Sequence, residues 1–318
     1  MILSVSRRTD IPAFYPKWFM NRVREGFVLV PNPFNANLVS KIPLTADIVD
    51  CVVFWTKNPA PLLPYMAEIN EYYQGAFYFQ YSINAYGREI EPAVPPMEQR
   101  VETFQQLSLA YGREKVIWRY DPIFLSETYT LEFHIEAFGK LLQQLKDYTD
   151  TCVISFVDMY DKTKKNTQEY GIRALSVEEM NQIAAAFSKL AQGTGVTIKT
   201  CAEAIDLDKY GIQHNSCIDG ELIEKIIGWE IRTKADKQRE HCGCMECADI
   251  GQYNTCKHGC RYCYANFNMD RVKKAVAEHD DASPLLTGKL NANCVVKPYA
   301  KGVSLKRKPL APEQPSLF

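Results

Sequence analysis

The sequence predicts an α/β fold of parallel strands and covering helices, a (βα) barrel of the TIM type, with a cysteine-rich metal-binding region towards its C-terminal end. Three observations predict it. Short apolar runs rich in β-branched and aromatic residues alternate with longer segments of helical periodicity; polar and charged residues gather where the apolar runs end; and three cysteines crowd one short loop, Cys256, Cys260 and Cys263.

The apolar runs fall at 2–6, 27–30, 51–56, 76–83, 116–120, 151–157 and 196–201, and an eighth strand near 249–253 would close or nearly close a barrel. Between them, 97–111, 131–145 and 177–191 carry apolar residues at helical spacing, and Ser176 with Glu179 forms a capping box that opens the last of these. No internal repeat is evident. The chain divides into a barrel domain over 1–240, a cysteine-rich region over 241–300 that packs on it, and a flexible tail over 301–318.

Composition fits a folded enzyme: 46% of the 318 residues are hydrophobic and 24% charged, and no apolar run approaches a membrane span. With 37 basic against 38 acidic residues the formal net charge is −1, so no whole-molecule field attracts nucleic acid, and any such contact has to be local. Arg7 and Arg8 are followed by no apolar stretch of a secretory signal, and a cytoplasmic location with reduced thiols is expected.

In a parallel barrel the C-terminal strand ends form the active face, and here they are unusually polar. They supply Arg7, Arg8 and Asp10, then Asn32 and Asn35, then Lys57, then Gln80, Ser82 and Asn84, then Arg119 and Asp121, then Asp158 and Tyr160, and last Lys199, Cys201 and Glu203. Arg119, Asp121, Lys199 and Glu203 are the candidate catalytic residues, because an inward charge in a β-like apolar run is costly without a ligand or partner.

The cysteine loop reads Cys256-Lys257-His258-Gly259-Cys260-Arg261-Tyr262-Cys263-Tyr264. Three thiolates at this spacing can each hold one iron of a [4Fe–4S] cluster and leave the fourth iron open. Zinc is the alternative, although its sites usually pair cysteines as two knuckles. A disulfide framework suits small secreted chains rather than this one. Tyr262 and Tyr264 would shield the metal from solvent. A second group, Cys201, Cys217, Cys242 and Cys244, with Cys247 and His241 close in sequence, can hold a second iron–sulfur cluster or a zinc, with free buried cysteines as the alternative. Cys51 and Cys152 sit in apolar strand patterns and read as core.

The loop resembles the signature of radical S-adenosylmethionine enzymes. The chain as a whole is similar to a bacterial family known as domain of unknown function 1848, whose members join Ser6-Arg7-Arg8-Thr9-Asp10-Ile11-Pro12 to this C-terminal cluster. Asn254 to Ala265 looks like the cysteine loop of the spore-photoproduct-lyase-like branch, whose members continue with a T-D-P segment and a T-K strand end; Thr9-Asp10-Ile11-Pro12 and Thr56-Lys57 stand in that order at the start of this chain. The radical enzymes carry the loop after their first strand. Here it lies about 55 residues from the end, an order that suggests a circularly permuted radical barrel.

The resemblance implies that adenosylmethionine fills the open iron, that an external electron donor reduces the cluster, and that a 5′-deoxyadenosyl radical acts on a small molecule or a nucleic-acid base. Arg7, Arg8, Lys57 and Arg119 would hold the cosubstrate carboxylate or an anionic substrate, and Asp10, Asp121 or Glu203 its ribose or amino group. The glycine-rich G-G-E strand end of those enzymes is not visible. A zinc-stabilised nucleic-acid-binding protein and an electron-transfer protein with a fully ligated cluster remain the other readings. Gln314, Pro315, Ser316, Leu317 and Phe318 resemble the Q-x-x-L-F peptides that dock on the bacterial sliding clamp, behind the basic Lys301, Lys306, Arg307 and Lys308.

Overall fold

The computed structural model describes residues 1–232 and 242–310. Its strands are β1 (Ile2–Val5), β2 (Phe27–Pro31), β3 (Leu38–Pro43), β4 (Cys51–Thr56), β5 (Phe77–Ser82), β6 (Val116–Ile123), β7 (Thr151–Phe156), β8 (Thr197–Cys201), β9 (Gln213–Asn215), β10 (Trp229–Ile231), β11 (Ala248–Asp249), β12 (Val295–Pro298) and β13 (Lys306–Pro309). Its α-helices are α1 (Ile11–Phe14), α2 (Pro16–Glu25), α3 (Met66–Tyr72), α4 (Met97–Tyr111), α5 (Leu131–Leu145), α6 (Asp161–Thr167), α7 (Val177–Ala191), α8 (Gly220–Ile227) and α9 (Met269–Ala277).

Eight strands form one parallel sheet in the order β11-β1-β4-β5-β6-β7-β8-β9. Among the described residues no sheet is closed, so hydrogen bonding does not complete the barrel expected from the sequence. The edges explain this. β11 has two residues and β9 three, too few for a further ladder, and loops run between them instead. The run at 27–30 does form a strand, β2, but it pairs antiparallel with β3 in a separate three-stranded sheet that β12 completes; polar β9 takes its place in the large sheet.

The period of two along each strand sorts side chains to two buried faces, as parallel sheets require. Leu3, Val52, Phe54, Phe79, Trp118, Ile154 and Ile198 pack outward against the helices, where Phe138 of α5 stacks on Phe187 of α7 at 3.8 Å. Ile2, Cys51, Val53, Tyr78, Ile117, Val153 and Cys201 point inward to a second cluster with Cys217, Ile218 and Ile223. The capping box at Ser176 and Glu179 is formed as expected and opens α7.

The C-terminal third is woven into the rest. β11 extends the main sheet beside β1, β12 pairs with β3, and β13 pairs antiparallel with β10. Within the segment expected as a tail, the described residues 301–310 are ordered around Asp50, which accepts from Ser304 Oγ and Leu305 N at 2.6 Å each. Residues 314–318, where the clamp-like peptide falls, lie outside the described residues, as does His241. None of the described helices is long and apolar enough to cross a membrane.

Candidate metal centre and cavity

The loop bearing Cys256, Cys260 and Cys263 follows β11 and lies at the C-terminal end of the sheet. Gly259 takes a positive φ of 68° between the first two cysteines, a conformation that a side chain would strain, and the Cys263 N–H donates to the Cys260 carbonyl at 3.1 Å to tighten the following turn. Asn266 Nδ2 donates to the Cys256 carbonyl at 2.8 Å and ties the two ends of the loop together.

What anchors the loop is a buried polar knot. Asp10, 6% exposed, caps α1 by accepting from Ala13 N at 3.0 Å. It also accepts from Thr56 Oγ1 and Lys57 N at the end of β4, each at 2.7 Å, and from His258 Nε2 of the cysteine loop at 2.8 Å. The other ring nitrogen of His258 bonds the Ala93 carbonyl at 3.2 Å. Beside it, Glu91 receives Lys57 Nζ at 3.0 Å and the Tyr262 hydroxyl, with Arg100 at 3.9 Å. Burial alone would raise the Glu91 carboxyl, but Lys57 and Arg100 outweigh it and hold the group below its usual range. By the same pairing Lys57 stays charged although buried.

The three thiols are half-buried and sense one another electrostatically. Burial pushes the Cys256 thiol up to about 12 and the Cys260 thiol well above its usual range. Among the described residues no three His, Cys, Asp or Glu side chains form a group able to hold a single metal ion. Ligands of a cubic cluster bind three different irons and have no need to converge on one point. Thiols are a donor set that iron–sulfur clusters and zinc both take.

A cavity of about 870 Å³ opens over the C-terminal ends of the strands; Tyr264 lines it but Cys256, Cys260 and Cys263 do not, and Cys260 lines a separate cavity of about 660 Å³. Arg7, Arg8, Lys57, Arg119, Asp121 and Asp249 supply the charge of the larger cavity, and Trp55, Tyr160, Tyr253, Tyr264 and Tyr299 its aromatic walls. Tyr264 joins loop to cavity by donating to the Arg7 carbonyl at 2.6 Å. Arg119 sits under Trp55, gives Nε to Asp121 at 3.1 Å and Nη1 to Gln80 at 3.0 Å. Burial opposes ionisation of Asp121, yet Arg119 wins and lowers its pKa. Arg7 is pinned by Asp249 at 3.7 Å and reaches Cys247 Sγ at 3.2 Å, whereas Arg8 lies over the Tyr253 ring at 5.5 Å and makes long polar contacts, 3.4 Å to the Gly251 carbonyl and 3.9 Å to Asp249. Gly251 is required here, because a Cβ would stand 2.0 Å from Ser6 Oγ.

The expected site residues thus divide. Arg7, Arg8, Lys57, Arg119, Asp121, Tyr264, Cys201, Cys217, Cys242 and Cys244 all line the cavity. Asp10 does not; its oxygens are engaged in the knot. Glu203 accepts from Phe156 N at 2.9 Å and secures the end of β7. Lys199 lines a different cavity of about 240 Å³ with Glu114, Asp150 and Thr151, at the opposite, N-terminal ends of the strands. Sequence reasoning gave no role to Glu91 or His258. Glu91 sits in a proline-rich connection with no recognisable signal, and His258 was visible only as a letter of the cysteine motif.

A family model described as a domain of unknown function, DUF1848, matches residues 2–265, from β1 through the whole cysteine loop. The chain belongs to this family. The DUF1848 match takes in both halves of the Asp10 knot and all seven expected metal ligands. No curated protein and no solved structure matches the chain.

Proposed function

We propose that this DUF1848 chain is a [4Fe–4S] enzyme of the radical S-adenosylmethionine type. The observation that carries the reading is the Asp10 knot: it joins the Thr9-Asp10 segment, the Thr56-Lys57 strand end and the three-cysteine loop, pieces far apart in this sequence whose counterparts follow one another along the chain of the enzymes it resembles. The strand order agrees with a permuted barrel. β11, the last strand of the sheet in sequence, lies beside β1, and the cysteine loop follows β11, so joining the chain ends on paper makes the order sequential. Loop contacts between the two edges, Met245 N to the Ile218 carbonyl at 3.0 Å and Ile218 N to Cys244 Sγ at 3.4 Å, support an incompletely closed barrel.

Cys256, Cys260 and Cys263 would hold the cluster, and bound adenosylmethionine would receive one electron from it, breaking the sulfonium C–S bond to give a 5′-deoxyadenosyl radical. Arg8, the least committed cation of the cavity, takes the cosubstrate carboxylate; Lys57, neutralised by Glu91, holds the loop side of the cavity at fixed charge. Tyr262 and Tyr264 limit water at the loop. Trp55, Tyr253 and Tyr160 offer aromatic faces for an adenine or a substrate base, which favours a nucleotide or nucleic-acid base as substrate. An external protein would supply electrons.

Electron paramagnetic resonance of the reduced protein tests this. A spectrum that changes when adenosylmethionine is added supports an open iron; an unchanged spectrum selects the electron-transfer reading, and zinc in place of iron selects the zinc-stabilised one.

A further inference from the structure

Outside the three-cysteine loop, thiols gather at a second place. Cys201 ends β8, Cys217 follows β9, and Cys242, Cys244 and Cys247 precede β11; all five line the cavity. Cys217 Sγ lies 2.7 Å from Cys201 Sγ, and Cys244 is buried in the same cluster with Cys242 packed against it. Two guanidiniums point at this sulfur: Arg119 Nη1 to Cys217 at 2.9 Å and Arg7 Nη2 to Cys247 at 3.2 Å. The Ile218 N–H adds a backbone donor to Cys244 at 3.4 Å.

Cys201, Cys217 and Cys244 are buried in the same apolar cluster as the core residue Cys51, but the Cys217 sulfur there also receives a guanidinium. Packing four thiols against each other offers little, since S–H is a weak donor and sulfur a weak acceptor. Cationic N–H groups aimed at sulfur match thiolates, and neighbouring thiolates are stable together when a metal centre takes their charge.

We propose that Cys201, Cys217, Cys242 and Cys244 ligate a second iron–sulfur cluster on the wall of the cavity remote from the three-cysteine loop. All four side chains line the cavity, and four thiols, with Cys217 against Cys201, are a donor set that a cluster takes. The donors from Arg119 and Ile218 are of the kind that tune a cluster's potential through its sulfurs. The second centre does not depend on the reading of the first loop.

The test is an iron and acid-labile sulfide count on anaerobically reconstituted full-length protein, for the wild type, Cys260→Ala, Cys217→Ala and the double variant Cys242→Ala/Cys244→Ala, with circular dichroism as the check on folding. With both centres present, the wild type holds about eight irons and each variant about four. If the wild type holds about four, loss in Cys217→Ala but not in Cys260→Ala supports the second centre and defeats the first. Loss in Cys260→Ala alone overturns the proposal. Zinc at the second group, or a Cys201–Cys217 disulfide in the anaerobic wild type, overturns it as well. Should the Cys217 and Cys242/Cys244 variants fail to fold, the wild type and Cys260→Ala decide: two distinct reduced paramagnetic signals in the wild type, or a signal with about four irons retained in Cys260→Ala, support the proposal, and a single wild-type signal lost in Cys260→Ala overturns it.

Discussion

Asp10 Oδ2 accepts from His258 Nε2 at 2.8 Å across 248 positions of sequence. The same carboxylate caps α1 and holds the end of β4, so one side chain fixes the cysteine loop to the rim of the sheet. Asp10→Ala removes a helix cap, which costs about 1 kcal/mol, and strands buried donors at about 1–3 kcal/mol each. A loss of about 3–5 kcal/mol in urea unfolding is expected, together with poor retention of iron. His258→Ala removes only the link to the loop; iron retention falls more than stability does. Unchanged iron binding in His258→Ala would contradict an anchoring role.

Glu91 neutralises Lys57 and faces Arg100 in a buried setting. Glu91→Gln leaves those cations uncompensated, and breaking a buried pair by removing one partner costs about 3–5 kcal/mol. Lys57→Met alone leaves the opposite imbalance, so the double variant Glu91→Gln/Lys57→Met is expected to recover part of the loss. A double-mutant cycle by denaturant unfolding reads the coupling.

Arg8 is the cavity cation with the longest internal contacts. Arg8→Ala should weaken adenosylmethionine binding about tenfold, the effect of one lost charge-assisted contact, with little change in melting temperature. Equilibrium dialysis against the labelled cosubstrate measures it; equal affinity in variant and wild type would remove Arg8 from the carboxylate site.

His134, separated from Tyr262 of the cysteine loop by the rings of Tyr86 and Phe124, gives a pH signal. Its Nε2–H donates to the Phe124 carbonyl at 2.8 Å, which leaves Nδ1 to accept from the Tyr120 hydroxyl at 2.9 Å. Burial lowers its pKa from 6.5 to about 4. Between those values the unfolded chain binds more protons than the folded one, so this contribution is whole above pH 6.5, shrinks through the window and is gone below about pH 4. The window is worth about 3 kcal/mol. In His134→Leu the urea midpoint should depend less steeply on pH over that range than in the wild type.

Helices were legible where periodicity was long: α4, α5 and α7 begin and end where the apolar spacing places them. Strand positions were nearly as clear, because both faces of a parallel sheet are apolar. Partners were not. The residues of β2 read like those of β4, yet β2 leaves the main sheet, and pairing is decided by contacts that no local pattern carries. β12 and β13 are exposed throughout and held by backbone pairing; β13 is Lys-Arg-Lys-Pro with no hydrophobic signal, and β12 offers only the short pair Val295-Val296. In the site, strand-end charges such as Arg119 were visible as costly residues in apolar runs. Lys199 carried the same signal and faces the other end of the sheet, because period two tells the face of a strand and not the depth along it. Asp10 was expected to meet a ligand and instead binds the protein, since its partner His258 is adjacent only once the chain ends meet in space.

Product analysis is the most direct check on the central claim. Anaerobic, reconstituted protein supplied with a one-electron reductant and adenosylmethionine is expected to release 5′-deoxyadenosine and methionine, and Cys260→Ala to release neither. A protein with its first cluster fully assembled, yet leaving adenosylmethionine intact under those conditions, would contradict it.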